Sequence, residues 1–375
     1  MAGYRFIDLV TDAEEITQVR GLRSFVQRLA NQSIAYICGI NEWPFLWTTD
    51  WFQTVAPYET GNVDLTNADA TVTGGSSSPT FTAAMVGRKI RFSTETGYYT
   101  IKSRTSATEI ELDQPYTGDT DTDISFSIYK DEYLLRGDVD QQKRIRQSEN
   151  GIALFSLSAT DLDDLYPIPT GEGVPALDVY LGRAVKTYST GTVSGTSGTR
   201  IITGSGTSWL SAEGLSRGTK LKIGTLLFTV NAVDSDTQIT VYEALTAAIS
   251  AATSYTAVLD NATVQLHAIP DSILTFYYRF QRIPAILDAD NDVPDLPYPM
   301  HPLIILAMLP TLWRHRGNID RAMEAEKEFL VKLGQWQAKY QLPVLDRPYP
   351  LQPFNMRRQL QEARWPVGTG IPLER

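Results

Sequence analysis

The feature that most constrains this chain is that part of it occurs twice. Residues 63–74, VDLTNADATVTG, align with residues 193–204, VSGTSGTRIITG, at an offset of 130. Val63/Val193, Thr66/Thr196, Thr73/Thr203 and Gly74/Gly204 are identical. Further on, Phe81 falls close to Trp209, Gly87 matches Gly218, and Ile90 and Phe92 match Leu221 and Ile223. YYTIKSRTSATEIEL (98–112) then matches LFTVNAVDSDTQITV (227–241) at an offset of 129, and each copy ends in an alternating segment, ISFSI or SYTAV. Apolar–polar alternation bounded by Gly, Ser, Thr and Asp marks half-buried strands joined by turns. Each copy therefore reads as a β-module of about five strands, at 61–128 and 191–258. A unit of this size is near the lower limit for an independent core. A tight barrel or sandwich is expected, with Phe81, Phe92 and Tyr99 inside one and Trp209, Ile223 and Phe228 inside the other.

The repeat settles the reading of GTRIITGSGTSWL (198–210). Its Gly and Ser residues suggest a flexible tether, but its place in the repeat makes it a strand and a turn. What surrounds the two copies reads as one mixed core. Thr11, with Glu14 three residues on, has the form of a capping box. Ile16, Val19, Leu22, Val26 and Leu29 follow at spacings of three and four, predicting an amphipathic helix over 11–38 that stops at Gly39. Trp43, Trp47 and Trp51 come next and read as packing that helix on a sheet. GIALFSLSA and ALDVYLG between the copies, and ATVQLHAIPDSILTFYYRF after the second, supply strands. Pro302 opens a helix that Pro310 should kink and Gly317 should end. Asn318 caps a last helix with an apolar stripe of Ala322, Ala325, Phe329, Leu333, Trp336 and Tyr340. The core is thus expected at 1–60, 129–190 and 259–340, interrupted twice because loops of a stable core tolerate insertions. Residues 341–375 hold six prolines and no sustained period, and read as an extended arm.

Charge narrows the function. The 375 residues carry a formal net charge of −10, with a pI near 4.9. That disfavours broad binding to nucleic acid, which needs a cationic surface. The arm is the exception: its five Arg against three acidic residues give +2, leaving −12 for the rest. Tyr349, Phe354, Arg357, Arg358, Arg364 and Trp365 are its candidate partner-binding residues. The single Cys38 sits in SIAYICGI and reads as a small buried hydrophobe. The N-terminus lacks a signal-type apolar stretch, and LIILAML (303–309) is far short of the ~20 residues that span a bilayer. A reducing cytoplasm with no membrane step is expected.

No catalytic, cofactor or metal site is expected. His267, His301 and His315 have no ligand spacing. DADND (288–292) begins like a calcium loop, but Val293 stands where that loop needs Gly and Pro299 where it needs the closing Glu. GDTDTD (118–123) reads as turn chemistry. DLDDL (161–165) offers carboxylates without a cleft, and GSGTSWL lacks the Lys-Ser/Thr of a phosphate loop.

Residues 274–336 resemble the C-terminal half of head-to-tail adaptor (connector, or neck) proteins of tailed bacteriophages. The resemblance rests on Tyr277-Tyr278-Arg279, then Pro284, Leu287, Asp288, Asp290, Asp292, Pro294 and Leu296-Pro297, then a short and a long helix. The helix and Trp-rich segment at 11–51 are similar to that family too. The repeats resemble β-modules of phage virion proteins, through IITGSGTSW and VDSDTQIT in the second copy. The resemblance implies an α+β fold: a helical adaptor core with a small β-sheet, two inserted β-barrel or sandwich modules, and the arm. It implies a structural, non-enzymatic role in the virion neck, assembled in the host cytoplasm. There a ring of about twelve copies would sit between portal and tail, and genomic DNA would pass through without sequence-specific contact. An alternative is a virion decoration that grips glycan, capsid or tail protein through its β-modules. A tail-associated glycan hydrolase using Asp163 or Asp164 is a third reading.

Overall fold

The computed structural model describes residues 4–340, apart from 19–20, 150, 167–170 and 211–213. The chain opens with α1 (Phe6–Thr17), α2 (Arg23–Gly39) and β1 (Trp47–Gln53). The first module follows as β2 (Val63–Leu65), β3 (Thr71–Gly74), β4 (Lys89–Phe92), β5 (Tyr99–Arg104), β6 (Glu109–Leu112), β7 (Asp121–Ile124) and β8 (Phe126–Tyr129). Then come β9 (Glu132–Leu134), β10 (Val139–Gln147), β11 (Phe155–Leu157), α3 (Ala159–Leu165), β12 (Glu172–Gly173) and β13 (Leu177–Tyr188). The second module holds β14 (Thr192–Gly195), β15 (Ile201–Ser205), β16 (Lys220–Ile223), β17 (Leu226–Ser235), β18 (Gln238–Val241) and β19 (Ile249–Thr253), and leads into β20 (Thr256–His267). The chain returns through β21 (Ile269–Pro270) and β22 (Thr275–Arg282) to α4 (His301–His315) and α5 (Ile319–Tyr340).

The two modules share one topology. The first has strand order β7-β2-β3-β6-β5-β4-β8, and the second β19-β14-β15-β18-β17-β16-β20. Register repeats as well: Val63 pairs with Gly74 as Val193 pairs with Gly204, and Ile90 with Tyr99 as Leu221 with Phe228. Only Ser125 separates β7 from β8, so the two ends of the first strip are one bent stretch and the sheet closes on itself. Closure removes free edges, which a small sheet otherwise exposes. Phe81, Phe92 and Tyr99 fill the first interior and Trp209, Ile223 and Phe228 the second. The Trp209 indole donates to the Tyr255 hydroxyl at 2.8 Å, which satisfies the one polar atom of a fully buried side chain.

The expectation of a helical core carrying a small sheet is overturned. Strand accounts for 37% of the described residues and helix for 25%. The physical reason is an antiparallel ribbon that the sequence shows only as fragments. β13 and β20 pair over their whole length, from Leu177↔His267 to Tyr188↔Ala257. The same β20 closes the second barrel against β16 and takes β9 along its other end, so ten strands form one sheet. Ala257 and Leu259 lie in the barrel core, while Ala262, Val264 and Leu266 lie in a separate core with Phe276, Tyr278 and Phe280.

The helices form their own core. α1 contributes Phe6, Leu9, Val10 and Ala13, and α2 contributes Val26, Leu29, Ala30, Ile34 and Ile37, against α4 and the inner stripe of α5. The expected helix over 11–38 is two helices. Gln18 adopts a left-handed conformation (φ 51°) and Gly21 follows at φ 79°, which breaks the run although the apolar spacing continues across it. The expected Thr11 cap is also overturned. α1 starts at Phe6, and the Asp8 carboxylate accepts from the Arg5 backbone N–H at 2.9 Å and from its guanidinium. α5 is capped as expected, with the Arg321 N–H donating to Asn318 Oδ1 at 3.1 Å. Helix α4 runs through Pro310.

Trp209→Ala should destabilise the second barrel by about 3–5 kcal/mol through cavity formation. Ile201→Ala, on an exposed side chain of the same barrel, should stay within about 0.5 kcal/mol. Chemical denaturation followed by far-ultraviolet circular dichroism separates the two. Equal effects would mean that Trp209 is not the packing centre of its barrel.

Candidate functional site: a basic and aromatic sheet face

The three-stranded sheet β1-β22-β10 positions the most distinctive surface. Its inner face is aromatic. Phe52 stacks on Phe276 (5.7 Å between centroids) and on Tyr133 (5.3 Å), and Tyr278 stacks on Phe280 (5.3 Å). Alternation then throws the residues between them outward. The register pairs Trp51 with Tyr277 and Thr49 with Arg279 on one side of β22, and Arg146 with Tyr277 and Arg144 with Arg279 on the other. Trp51 is 54% and Tyr277 40% exposed, and the three arginines are exposed beside them. Trp47 carries Arg279 over its ring at 5.4 Å and Lys143 at 5.7 Å, and Lys143 pairs with Glu42. Asp50, the acidic residue of β1, pairs instead with Arg136 at 3.4 Å. A protein of net charge −10 thus gathers cations and aromatics on one flat face.

The tryptophans divide accordingly. Trp43 behaves as the sequence reading has it: fully buried, with its indole donating to the Ile37 carbonyl at 2.7 Å. Trp51 does not pack a helix on a sheet; it faces outward. The alternations Arg144-Ile145-Arg146 and Tyr277-Tyr278-Arg279 were the signals for this face. Neither has meaning until β10 and β22 are known to be neighbours.

The other sequence candidates have structural uses. In DADND, Asp292 accepts from the N–H groups of Asp288 (2.9 Å) and Ala289 (2.8 Å) and pairs with Arg200 of the second barrel at 3.1 Å. Asp288 accepts from the Ala244 N–H at 3.1 Å, and Asp290 pairs with Arg23 at 2.9 Å. Carbonyls of Asp290 and Asp292 receive the N–H groups of Ile7 and Phe6, so this loop also satisfies the open start of α1. In GDTDTD, Asp123 accepts from the Ser76 N–H. In DLDDL, Ser158 caps α3 by accepting from the Asp161 N–H at 3.1 Å. His301 Nε2 donates to the Leu296 carbonyl at 2.9 Å, and His267 is buried against Tyr166. Burial pushes the Cys38 thiol up to about 12, so no thiolate forms near neutral pH. Tyr349, Phe354, Arg357, Arg358, Arg364 and Trp365, the residues proposed for the arm, lie outside the described residues. Among the described residues no cluster of His, Cys, Asp and Glu could hold a metal, and no helix is long and apolar enough to cross a membrane.

Further ionic joints tie the modules to the rest. Lys89 of the first barrel pairs with the buried Asp131 at 2.7 Å and with Glu132 at 3.1 Å. Arg136 grips Asp138 with two bonds of 2.9 and 2.8 Å. Arg217 of the second barrel lies 3.7 Å from both Asp138 and Asp295, and Arg282 completes the cluster at 3.0 Å from Asp295. A cavity of about 150 Å³ opens beside it, walled by Lys220, Tyr242 and Pro284.

Comparison with known proteins gives little to set beside this geometry. No protein family matches the chain, and no curated protein matches it. Among solved structures, one described as "Phage phi92 endosialidase" aligns with 60% of this chain at 12% identity and a TM-score of 0.16. The alignment spans 31% of that protein's chain. A likeness this slight carries no argument about fold or activity.

The Asp292 staple is testable through pH. Burial raises the Asp292 pKa, but the Arg200 guanidinium and the two backbone N–H groups outweigh it and hold the carboxyl below its ordinary value. Its stabilisation is therefore complete above the ordinary carboxylate range and lost as pH falls through the depressed value. Asp292→Ala should cost about 1–3 kcal/mol at neutral pH, and its deficit in melting temperature should shrink toward pH ~3. A deficit that stays constant with pH would show that the charge plays no part.

Proposed function

We propose that the chain is a structural virion protein, a head-to-tail adaptor of a tailed bacteriophage. In this reading it forms a ring of about twelve subunits between portal and tail. The ring extends the DNA channel, docks the tail, and acts without catalysis or cofactor. The observation that carries this reading is where the adaptor-like stretches come to lie. Residues 11–51 and 274–336, far apart in sequence, close on one another as a single unit. α1 and α2 pack on α4 and α5. The acidic loop threads between them: Asn31 exchanges two hydrogen bonds with Leu287, at 2.9 and 2.8 Å, and Leu287 and Leu296 enter the helical core. The Tyr277-Tyr278-Arg279 strand lies at the centre of the sheet beneath. This use of the acidic run, as a hinge-pin between helices and barrel, supports a building-block role over a catalytic one.

A ring also needs a surface that resists sliding DNA, and a net charge of −10 per copy provides it. The arm, basic where the rest is acidic, is assigned to the portal or to a neighbouring copy. Place of action is then the neck of the virion, with assembly in the host cytoplasm and no membrane contact.

Purified chain, alone and mixed with portal protein, should give ring-shaped particles in negative stain and a matching mass by light scattering. A monomer under both conditions that instead binds glycan arrays would replace this reading with the decoration alternative. Deleting residues 345–375 should leave the melting temperature within a few degrees of the full chain while weakening attachment to portal or to neighbours. A truncated chain that assembles into particles normally would remove the arm from the mechanism.

A further inference from the structure

The outward side of the three-stranded sheet sorts its side chains by kind. Toward β1 it is aromatic: Trp51 and Tyr277 are directly opposed, and both are exposed. Toward β10 it is cationic: Arg144 opposes Arg279, and Arg146 opposes Tyr277. Like charges directly opposed disfavour the sheet that holds them. Among the described residues none of these three arginines forms an ion pair. The acidic residues nearby are placed elsewhere. Asp50 pairs with Arg136, and Glu42 is taken by Lys143. Asp140 sits in the bulge between Val139 and Gln141 at the start of β10, Glu149 lies past its end, and Asp271 lies in the turn between β21 and β22. Cation and ring already stack once on this face, where Arg279 lies over Trp47.

We propose that this face binds single-stranded nucleic acid, with phosphates on the arginines and bases on Trp51 and Tyr277. The inference goes beyond the ring reading and stands whether or not a ring forms. A nucleotide carries its charge on one side and a flat aromatic ring on the other. The sheet offers the matching strips side by side, with neighbouring strands about 5 Å apart. A nucleic-acid strand laid along β22 meets both at once. Proteins that hold single strands without sequence preference combine these same two elements, a cationic track and exposed rings on which bases stack. An acidic protein surface or an acidic polysaccharide would satisfy the arginines but leave the two rings without a stacking partner. A duplex keeps its base faces inside its own stack. Phosphate contacts carry no base information, so the contact is tolerant of sequence. A net charge of −10 keeps nucleic acid off most of the remaining surface, which confines the contact to this face.

The test uses full-length chain and a fluorescein-labelled oligothymidylate of about 12 nucleotides, followed by fluorescence anisotropy. The wild type should bind it, and more tightly than a duplex of the same length. Trp51→Ala should weaken binding about tenfold through lost stacking. Arg144→Gln/Arg146→Gln/Arg279→Gln should weaken it at least tenfold and lower the slope of log affinity against log salt by about 2, one share for each phosphate released. Circular dichroism and melting should show both variants folded. Should the triple variant misfold, Arg146→Gln takes its place, with a slope change of about 0.7. A wild type that does not bind would overturn the proposal. So would binding that persists unchanged in the arginine variant, since the strand would then be held elsewhere, the basic arm included. A Trp51→Ala chain that binds as the wild type does, with the duplex or heparin held as tightly as the single strand, would also overturn it. The face would then be a dock for polyanions in general. None of these outcomes bears on whether the chain forms a ring, which the particles in negative stain decide separately.

Discussion

The ribbon of β13 and β20 is the constraint on which the rest depends. Its ladder is unbroken except for one irregularity between Tyr180 and Gly182, and it carries side chains into two cores at once. Because β20 is both the closing strand of the second barrel and a wall of the central sheet, neither can be packed without fixing the other. Buried Asn261 marks the handover, donating to the carbonyls of Leu135 and Gly214, one on each side of the junction. Unmet, those buried carbonyls would each cost more than the bond returns. The first barrel is attached differently, by the short return of β8 and the buried Lys89–Asp131 pair. Two copies of one module are thus mounted by two unlike joints.

Acidic side chains take three distinct positions. Some are spent inside the fold, as Asp131, Asp138 and Asp292 are, each held by a cation or by backbone N–H groups. Others line turns and helix starts, as Asp8 and Asp123 do. Others, Asp320, Glu324 and Glu328 of α5 among them, face solvent. Net charge therefore says little about any one face, and a basic sheet surface is compatible with an acidic chain.

Local pattern and long-range pairing were legible to different degrees in the sequence. The repeat could be read because its register residues, Val63, Gly74 and their partners, sit close together and recur. α5 could be read because its cap and stripe lie within one segment. The break at Gln18 could not, since a left-handed residue leaves no trace in apolar spacing. β13 and β20 each look like ordinary short strands, and their partnership is set by packing across a whole module. The arginine face had the same obstacle: Arg144 and Arg279 are neighbours only after β10 and β22 pair. Sequence reading therefore found the repeated strands and the last helix, ran α1 and α2 into one, and missed the strand content that joins the parts.

The long ribbon also has a mechanical meaning. Twelve residues at about 3.4 Å each give a beam roughly 40 Å long, running from the central sheet into the barrel. A pull along that axis loads all its ladder bonds together in shear, whereas a hinge would let them open one by one. The second barrel is then less a pendant than the far end of a lever, and a tilt at one end must arrive at the other.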